Sequence, residues 1–175
     1  MLFRSHVREK DGLWAVLAWL SILAHTGKSV DQVLRDHWSK FGRSYYQRYD
    51  YEGVSAEGAN AMFADLRAKL GSLAGTPLAG SRIARADDFS YTDPVNGATA
   101  SNQGTRIFLE DGSRVILRLS GTGTEGATLR AYFESYSKDN IAQDADAMIR
   151  PLAQAVSTLL DLEGRLGRKA PDVIT

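Results

Sequence analysis

Apolar residues near the start of the chain recur at helical spacing. Leu13, Leu17 and Leu20 follow one another at steps of three or four residues, which predicts an amphipathic helix that ends at Gly27. A second amphipathic stretch covers residues 29–41 and opens with the serine-x-x-glutamine spacing of a capping box. The first part of the chain is therefore predicted to be two helices.

The pattern changes after these two helices. Residues 43–54 contain four tyrosines, and aromatic residues favour an extended strand. Ser55 is the predicted N-cap of a helix that runs to about Leu70. Residues 71–80 contain three glycines and a proline, so this segment is predicted to be a flexible connection.

Beyond this connection, apolar and polar residues alternate with a period of two. The alternation predicts strands of a largely antiparallel sheet at residues 82–85, 105–109, 115–119 and 128–133. Asp111 and Gly112 tolerate positive φ and predict a hairpin turn between the second and third of these strands. A last amphipathic helix is predicted from about Asp144 to Arg165, with Pro151 in its first turns.

This order of elements predicts an α+β fold. Residues 1–42 form a helical part that belongs to a larger unit, and residues 43–175 form a compact domain of helices and sheet. The apolar face of the two first helices, with Trp14, Leu17 and Trp38, is expected to pack against another part of the protein or to self-associate.

Charge and cysteine content exclude several classes of function. The 175 residues include 21 Lys+Arg and 21 Asp+Glu, so no broad positive field is available for nucleic acid or an anionic membrane. The chain has no cysteine, which excludes disulfides and thiolate metal sites and fits a cytoplasmic protein. The longest apolar stretch is too short to span a bilayer. An anion would therefore have to be bound locally.

A glycine-rich segment offers such a local site. Residues 118–130 read RLSGTGTEGATLR, in which three glycines permit a tight turn and Arg118 and Arg130 supply charge at either end. Strand alternation places both arginines opposite their apolar neighbours, so both guanidinium groups can flank one turn. Their bidentate geometry suits phosphate oxygens.

Three interpretations of this segment compete on the residues alone. The first is a phosphate-binding loop, and the second is a plain glycine hairpin that joins two strands. The third is a dinucleotide site, because Gly121, Gly123 and Gly126 satisfy the G-x-G-x-x-G spacing. We reject the third interpretation, since that fingerprint requires a helix after the loop and residues 127–136 have the pattern of a strand.

The same segment closely resembles the phosphate-binding loop in the last domain of α-D-phosphoglucomutases, a branch of the phosphohexomutase superfamily. Other segments resemble that family in the same order: residues 8–20, 48–52, 56–60, 93–95 with 102–104, and 170–175. The resemblance covers nearly the whole chain from about residue 6. It implies part of the family's third domain in residues 1–42. It also implies the family's fourth domain in residues 43–175, an antiparallel sheet packed with helices like that of the TATA-binding protein.

The resemblance also implies a reaction and a site. Members of the family interconvert glucose 1-phosphate and glucose 6-phosphate in the cytoplasm, through glucose 1,6-bisphosphate and with Mg²⁺, as intramolecular phosphotransferases of carbohydrate metabolism. The residues it assigns to the non-reacting phosphate of the substrate are Arg118, Ser120, Gly121, Thr122, Gly123 and Arg130. Lys10 matches a lysine that lines the family's cleft, and His6 matches a position just before it. Without the resemblance, Lys10 would be interpreted as an ordinary exposed lysine.

Three further parts of the family's active site find no match in this sequence. Thr99-Ala100-Ser101 resembles the active-serine loop only superficially, because the histidine and proline that follow the serine in the family are missing. Residues 110–114 have too few carboxylates for the family's metal loop and are better explained as a hairpin turn. The sugar-recognition loop would lie just before His6. We therefore expect no catalytic residue beyond the possible cleft lysine, no bound metal and no mutase activity from this chain alone.

Three hypotheses about function remain. The chain is part of a phosphoglucomutase that needs the other domains, or a standalone module that binds sugar phosphates without chemistry, or a folded remnant without a ligand. A companion polypeptide that carries the serine and metal loops would favour the first hypothesis. Binding of glucose 1-phosphate would exclude the third.

Overall fold

Two helices precede the sheet in the computed structural model, which describes residues 11–123 and 126–175. Helix α1 spans Gly12–Thr26 and helix α2 spans Val30–Phe41. The predicted capping box is present, because the Gln32 amide donates to Ser29 Oγ at 3.3 Å and the Ser29 amide donates to Gln32 Oε1 at 2.9 Å. Neither of these two described helices contains a buried residue. They are thus peripheral to the core of the chain.

The remaining elements in the described residues are nine strands and three helices. The strands are β1 (Arg43–Val54), β2 (Pro77–Leu78), β3 (Ser81–Asp88), β4 (Tyr91–Thr92), β5 (Thr99–Ala100), β6 (Thr105–Leu109), β7 (Arg114–Gly123), β8 (Gly126–Ser137) and β9 (Val173–Ile174). The helices are α3 (Ala56–Leu73), α4 (Ala145–Leu160) and α5 (Leu162–Leu166). The α+β fold class is confirmed.

Seven of the strands form one antiparallel sheet in the order β2-β3-β6-β7-β8-β1-β9. Strands β4 and β5 pair separately as a small hairpin. The predicted turn between β6 and β7 is confirmed, because Asp111 Oδ1 accepts the Ser113 amide at 2.8 Å and Gly112 has φ +88°. The longest pairings join β7 to β8 and β8 to β1, so these three adjacent strands, called the central strands below, are the most extensively paired part of the sheet.

The hydrophobic core lies between one face of the sheet and helices α3, α4 and α5. Alternate residues of each strand point into it, as the period of two requires. The largest fully buried side chains are those of Tyr45, Met62, Ile83, Ile107, Leu117, Leu129 and Ile149. The other residues of the central strands point to the opposite face, against which none of the described helices packs extensively. That opposite face is called the open face below.

Several boundaries differ from the sequence-based expectation. The helix predicted for residues 144–165 is two helices, because Asp161 adopts φ +51° and its Oδ1 accepts the Gly164 amide at 3.2 Å, which caps α5. No glycine or proline occupies position 161, so the pattern did not reveal the break. The predicted connection at residues 71–80 contains the end of α3 and the short strand β2. Pro151 lies in the second turn of α4.

The helices of the described residues differ in whether they reach membrane-spanning length singly or as a pair. No individual helix is long and apolar enough to cross a bilayer, whereas α1 and α2 taken together, with a bend of 84° between them, reach the required length and composition.

Candidate phosphate-binding site

Two arginines face each other at the glycine-rich end of the central strands. Arg118 of β7 and Arg130 of β8 are directly opposed Cα partners. Side chains of opposed residues lie on the same face of a sheet. Their neighbours Leu117, Leu129 and Ala131 are buried in the core. Both arginines therefore lie on the open face, as strand alternation predicts.

Among the described residues, other side chains balance the positive charge of the arginine pair only in part. Arg118 is exposed and forms no ion pair with any residue in the described part of the chain. Nε of Arg130 lies 3.9 Å from Oδ2 of Asp50, and 42% of the Arg130 side chain is exposed. Like charges directly opposite each other destabilise a sheet. An anion between the two guanidinium groups would remove that repulsion.

Asp50 is a residue of this site that the sequence reasoning missed. It occupies β1 opposite Arg130, is only 4% exposed, and accepts a hydrogen bond from Nε of Arg48 at 3.0 Å. The sequence does contain a signal that places Asp50 on this face. Arg48 and Asp50 alternate with the buried Tyr49 and Tyr51, so both charged residues must lie on the face opposite these tyrosines. The open face thus carries a row of charges that crosses three strands.

The turn between β7 and β8 depends on its glycines. Gly121 is exposed, has φ +68° and has no atom within 4 Å of an ideal Cβ, so it turns the backbone without being covered. Gly126 has φ +99°, and a Cβ there would lie 3.2 Å from the carbonyl oxygen of Val54. Glycine at position 126 therefore allows the start of β8 to pack closely against the end of β1. Ser120 precedes the turn and is paired with Thr128.

The predicted site residues are described to different extents. The structure brings Arg118, Ser120, Gly121 and Arg130 together at one end of the sheet. It describes Thr122 and Gly123 only as backbone of β7. Lys10, His6 and residues 124–125 lie outside the described residues. The candidate site is thus defined by two strands and by the first half of the turn between them.

Two cavities adjoin Arg118. One has a volume of about 480 Å³ and is mainly apolar, with aromatic side chains from Phe89, Tyr91 and Tyr132 in its wall. The other has a volume of about 310 Å³ and is more polar. Both are lined by Gln103, Gly104 and Arg118. Arg118 therefore separates two concave surfaces and can contact a ligand in either.

The acidic residues near the site do not form a metal site. Asp111, in the hairpin compared above with the family's metal loop, uses Oδ1 to accept the Ser113 amide. Within residues 11–123 and 126–175, no three His, Asp or Glu side chains gather in a group that could hold a metal ion. The described residues therefore do not fit the Mg²⁺ ion that the family resemblance implies for the intact enzyme.

Two family models match adjoining parts of the chain. Residues 43–172 match a model described as "Phosphoglucomutase-1, C-terminal domain". Residues 1–41 match a model described as "Phosphoglucomutase/phosphomannomutase, alpha/beta/alpha domain III". The fold and these matches define the class: the C-terminal domain of a sugar-phosphate mutase, preceded by part of a third domain.

The similarity of the chain to individual relatives supports its assignment to this class. The chain is 52% identical over 178 residues to phosphoglucomutase-1 of Oryctolagus cuniculus and 46% identical over 173 residues to phosphoglucomutase of Rhizobium radiobacter. These alignments cover 97% and 98% of the chain and 32% of each relative. The chain belongs to the phosphoglucomutase family. It spans about a third of the length of these relatives.

A solved structure supports the same assignment. The exocytosis-sensitive phosphoprotein pp63/parafusin of Paramecium, a phosphoglucomutase in its open form, superposes with a TM-score of 0.86 at 42% identity. The superposition covers 97% of this chain and 30% of that protein. The arrangement of helices and sheet is therefore that of the corresponding part of a phosphoglucomutase.

Proposed function

We propose that this chain supplies the phosphate-binding part of a phosphoglucomutase that interconverts glucose 1-phosphate and glucose 6-phosphate. The observation that carries the proposal is the opposed pair Arg118 and Arg130 beside the uncovered turn at Gly121. Membership of the family and the similarity to relatives over nearly the whole chain support it. The intact enzyme would also use Mg²⁺ and glucose 1,6-bisphosphate, which the other domains would bind.

The pair would hold the phosphate that does not react. Two guanidinium groups can donate several hydrogen bonds to phosphate oxygens, and the backbone N–H groups of a glycine-rich turn can donate others. In the proposed site these donors belong to residues Arg118, Ser120, Gly121, Thr122, Gly123 and Arg130, with Lys10 placed nearer to the sugar. Binding energy at the distant phosphate would orient the sugar for reaction at its other end.

The chain alone would bind without turnover, because phosphoryl transfer needs a donor group and a means of stabilising the transferred charge. We propose that the remaining domains of a phosphoglucomutase supply both, that they cover the helices α1 and α2, and that the assembled enzyme acts in the cytoplasm. The alternative function is a standalone, non-catalytic module that binds sugar phosphates. The 32% coverage of the relatives is consistent with the first function, because their other domains account for most of each protein.

Binding of glucose 1-phosphate to the ¹⁵N-labelled chain tests the proposed site. We expect NMR shift changes centred on residues 118–130 and weak affinity, since one part of a larger cleft is present. Arg118→Ala and Arg130→Ala should each lower the affinity about tenfold or more, because each removes charge-assisted hydrogen bonds. Arg114→Ala is the matched control, because Arg114 lies on the same strand and face but is paired with Glu134.

The outcomes separate the hypotheses. Equal affinities of the parent chain and both arginine variants would refute the site. Binding that is lost equally in Arg114→Ala would show a general effect of charge. Mutase turnover after addition of a polypeptide that carries the first two thirds of a relative would favour the enzyme part over the standalone module. Turnover by the chain alone would contradict the proposal.

A further inference from the structure

Asp50 is a buried carboxylate between two arginines. Its residue is 4% exposed, its Oδ1 accepts the hydrogen bond from Arg48 Nε at 3.0 Å, and its Oδ2 lies 3.9 Å from Arg130 Nε. Burial of a carboxylate is unfavourable unless positive groups and hydrogen bonds compensate for the lost water. The two arginines supply that compensation, so the position of Asp50 and the positions of both guanidinium groups depend on one another.

The contact with Asp50 is made by the inner edge of the Arg130 guanidinium group. Nε of Arg130 is buried and has no hydrogen-bond partner among the described residues, although 42% of the side chain is exposed. A buried donor without a partner is unfavourable and needs an explanation. Among the described residues, the Asp50 carboxylate is the one anion within 4 Å of this donor. An ion pair at the inner edge leaves the outer part of the guanidinium group available to a ligand.

The backbone of Asp50 is fixed from both sides. Asp50 is paired with Arg130 in β8 and with Val173 in β9. The Asp172 amide donates to the Asp50 carbonyl oxygen at 2.8 Å, and Oδ2 of Asp172 accepts the Glu52 amide at 2.7 Å. The C-terminal segment, which contains Asp172 and β9, therefore limits the movement of β1, the strand that carries this carboxylate. A rigid support of this kind is suited to orienting a ligand-binding side chain.

We propose that Asp50 is a positioning residue, which holds Arg130 in the orientation that binds phosphate. This inference rests on the proposed function, and Asp50 itself would not touch the ligand. The inference and simple electrostatics predict opposite changes in phosphate affinity when the Asp50 charge is removed. Removal of the Asp50 charge makes the site more positive, which alone would strengthen phosphate binding. If Asp50 orients Arg130, the same removal weakens binding.

The variant Asp50→Asn distinguishes the two effects, because it removes the charge and keeps the shape of the side chain. We expect its affinity for glucose 1-phosphate and for inorganic phosphate to fall about tenfold. This is the size of the effect expected when one charge-assisted hydrogen bond between Arg130 and the phosphate is lost. The matched control is Glu134→Gln, because Glu134 accepts a hydrogen bond from Nε of Arg114 at 2.7 Å on the same face of the sheet, and neither residue lines the cavities beside Arg118. This control should leave the affinity unchanged.

A ligand-free measurement separates failure of this inference from failure of the proposed function. The ¹⁵N relaxation of the Arg130 Nε–H group should show greater mobility in Asp50→Asn than in the parent chain, with or without phosphate. Urea unfolding identifies conditions in which both variants are folded, and binding is compared only there. Unchanged mobility of Arg130, or an affinity that is unchanged or higher in Asp50→Asn, would overturn the inference. Absence of phosphate binding by the parent chain would refute the proposed function, whatever the mobility of Arg130 shows.

Discussion

Gly104 packs directly against the stem of the Arg118 side chain. A Cβ built on Gly104 would lie 3.0 Å from Cγ of Arg118 and 3.1 Å from the carbonyl oxygen of Leu117. Gly104 is also buried and has φ +146°, a conformation that favours glycine. The position of Arg118 on the open face therefore depends on the absence of a side chain at residue 104.

Gly104→Ala tests this dependence. We expect the substitution to lower the free energy of unfolding by about 1–3 kcal/mol, because it overpacks a closed contact and strains the backbone. It should also weaken the binding of glucose 1-phosphate, because the stem of Arg118 must move away from the new methyl group. Urea unfolding and an NMR titration measure the two effects.

Gly97→Ala is the matched control for Gly104→Ala. Gly97 has φ +74°, but an ideal Cβ there has no atom within 4 Å. The control should therefore show only the cost of a left-handed backbone, about 1 kcal/mol, and unchanged affinity. Equal losses of stability in the two variants, together with unchanged affinity in Gly104→Ala, would show that Gly104 does not determine where Arg118 lies.

The phenol of Tyr51 gives a prediction about alkaline pH. Burial raises the pKa of Tyr51 to about 12, and the neighbouring Tyr49 contributes in the same direction. Between about pH 10 and pH 12 the unfolded chain loses this proton while the folded chain retains it, so unfolding becomes more favourable as the pH rises. The free energy of unfolding should therefore fall across this interval.

Tyr51→Phe isolates the contribution of Tyr51 to the alkaline loss of stability. The variant lacks the phenol oxygen but keeps the aromatic ring, and Tyr51 is only 4% exposed in the parent chain. We expect the free energy of unfolding of the variant, measured with urea from pH 9 to pH 12, to fall less steeply than that of the parent. Parallel curves for the two proteins would contradict the assignment of the raised pKa.

The predicted helices and the first strand were recovered from sequence because their signals are local. The capping box at Ser29 and Gln32 and the tyrosines of β1 lie within the elements that they define. The strand β9 escaped prediction because its partner β1 lies more than 120 residues earlier, and two residues carry no pattern of their own. The break at Asp161 escaped because an aspartate in the left-handed region gives no glycine or proline signal.

The candidate site was likewise predictable where its signals are local, and not where it depends on distant parts of the chain. The positions of Arg118 and Arg130 follow from counting alternate residues along two strands, and the register between the strands agrees with that count. Asp50 was not predicted as part of the site, because its place beside Arg130 depends on the pairing of β1 with β8 across 80 residues. The dependence of Arg118 on Gly104 is likewise a tertiary contact. Sequence pattern thus predicted the face of the sheet on which the two arginines lie, but not the residues that support them.

The apolar surface of α1 and α2 predicts self-association of the isolated chain. Leu13, Leu17 and Leu20 of α1 are 79%, 57% and 56% exposed, which is unusual for neighbouring leucines. We expect concentration-dependent oligomers in sedimentation velocity and a monomer after the double substitution Leu17→Glu and Leu20→Glu. The free energy of unfolding should change little, because both side chains are already exposed.

Leu159→Glu is the control for this double substitution. Leu159 is 39% exposed on α4, in the sheet-containing part of the chain. Its substitution should leave the oligomers intact. Oligomers that persist in the α1 variant but dissociate in Leu159→Glu would place the interface on the sheet-containing part instead. A polypeptide with the first two thirds of a relative should compete with self-association if the same face docks there.

The C-terminal segment is expected to affect phosphate binding from a distance. Asp172 accepts the Glu52 amide through Oδ2 and is paired with Arg168 at 3.2 Å, so its side chain ties the last residues to β1. Asp172→Ala should lower the free energy of unfolding by about 1–2 kcal/mol, because it leaves these donors without their acceptor. It should also weaken phosphate binding, but less than Asp50→Asn does, because it loosens the strand and keeps the Asp50 charge.

Asp93→Ala is the control for Asp172→Ala. Asp93 also accepts a backbone amide, that of Val95 at 2.8 Å, but it lies in the loop between β4 and β5. Its substitution should cost a similar amount of stability in urea unfolding and leave the affinity for inorganic phosphate unchanged. If Asp172→Ala and Asp93→Ala have the same affinity as the parent chain, the C-terminal segment stabilises the sheet without orienting Arg130. A loss of affinity confined to Asp172→Ala would instead show that the strand pairing of β9 extends its effect through Asp50 to the site.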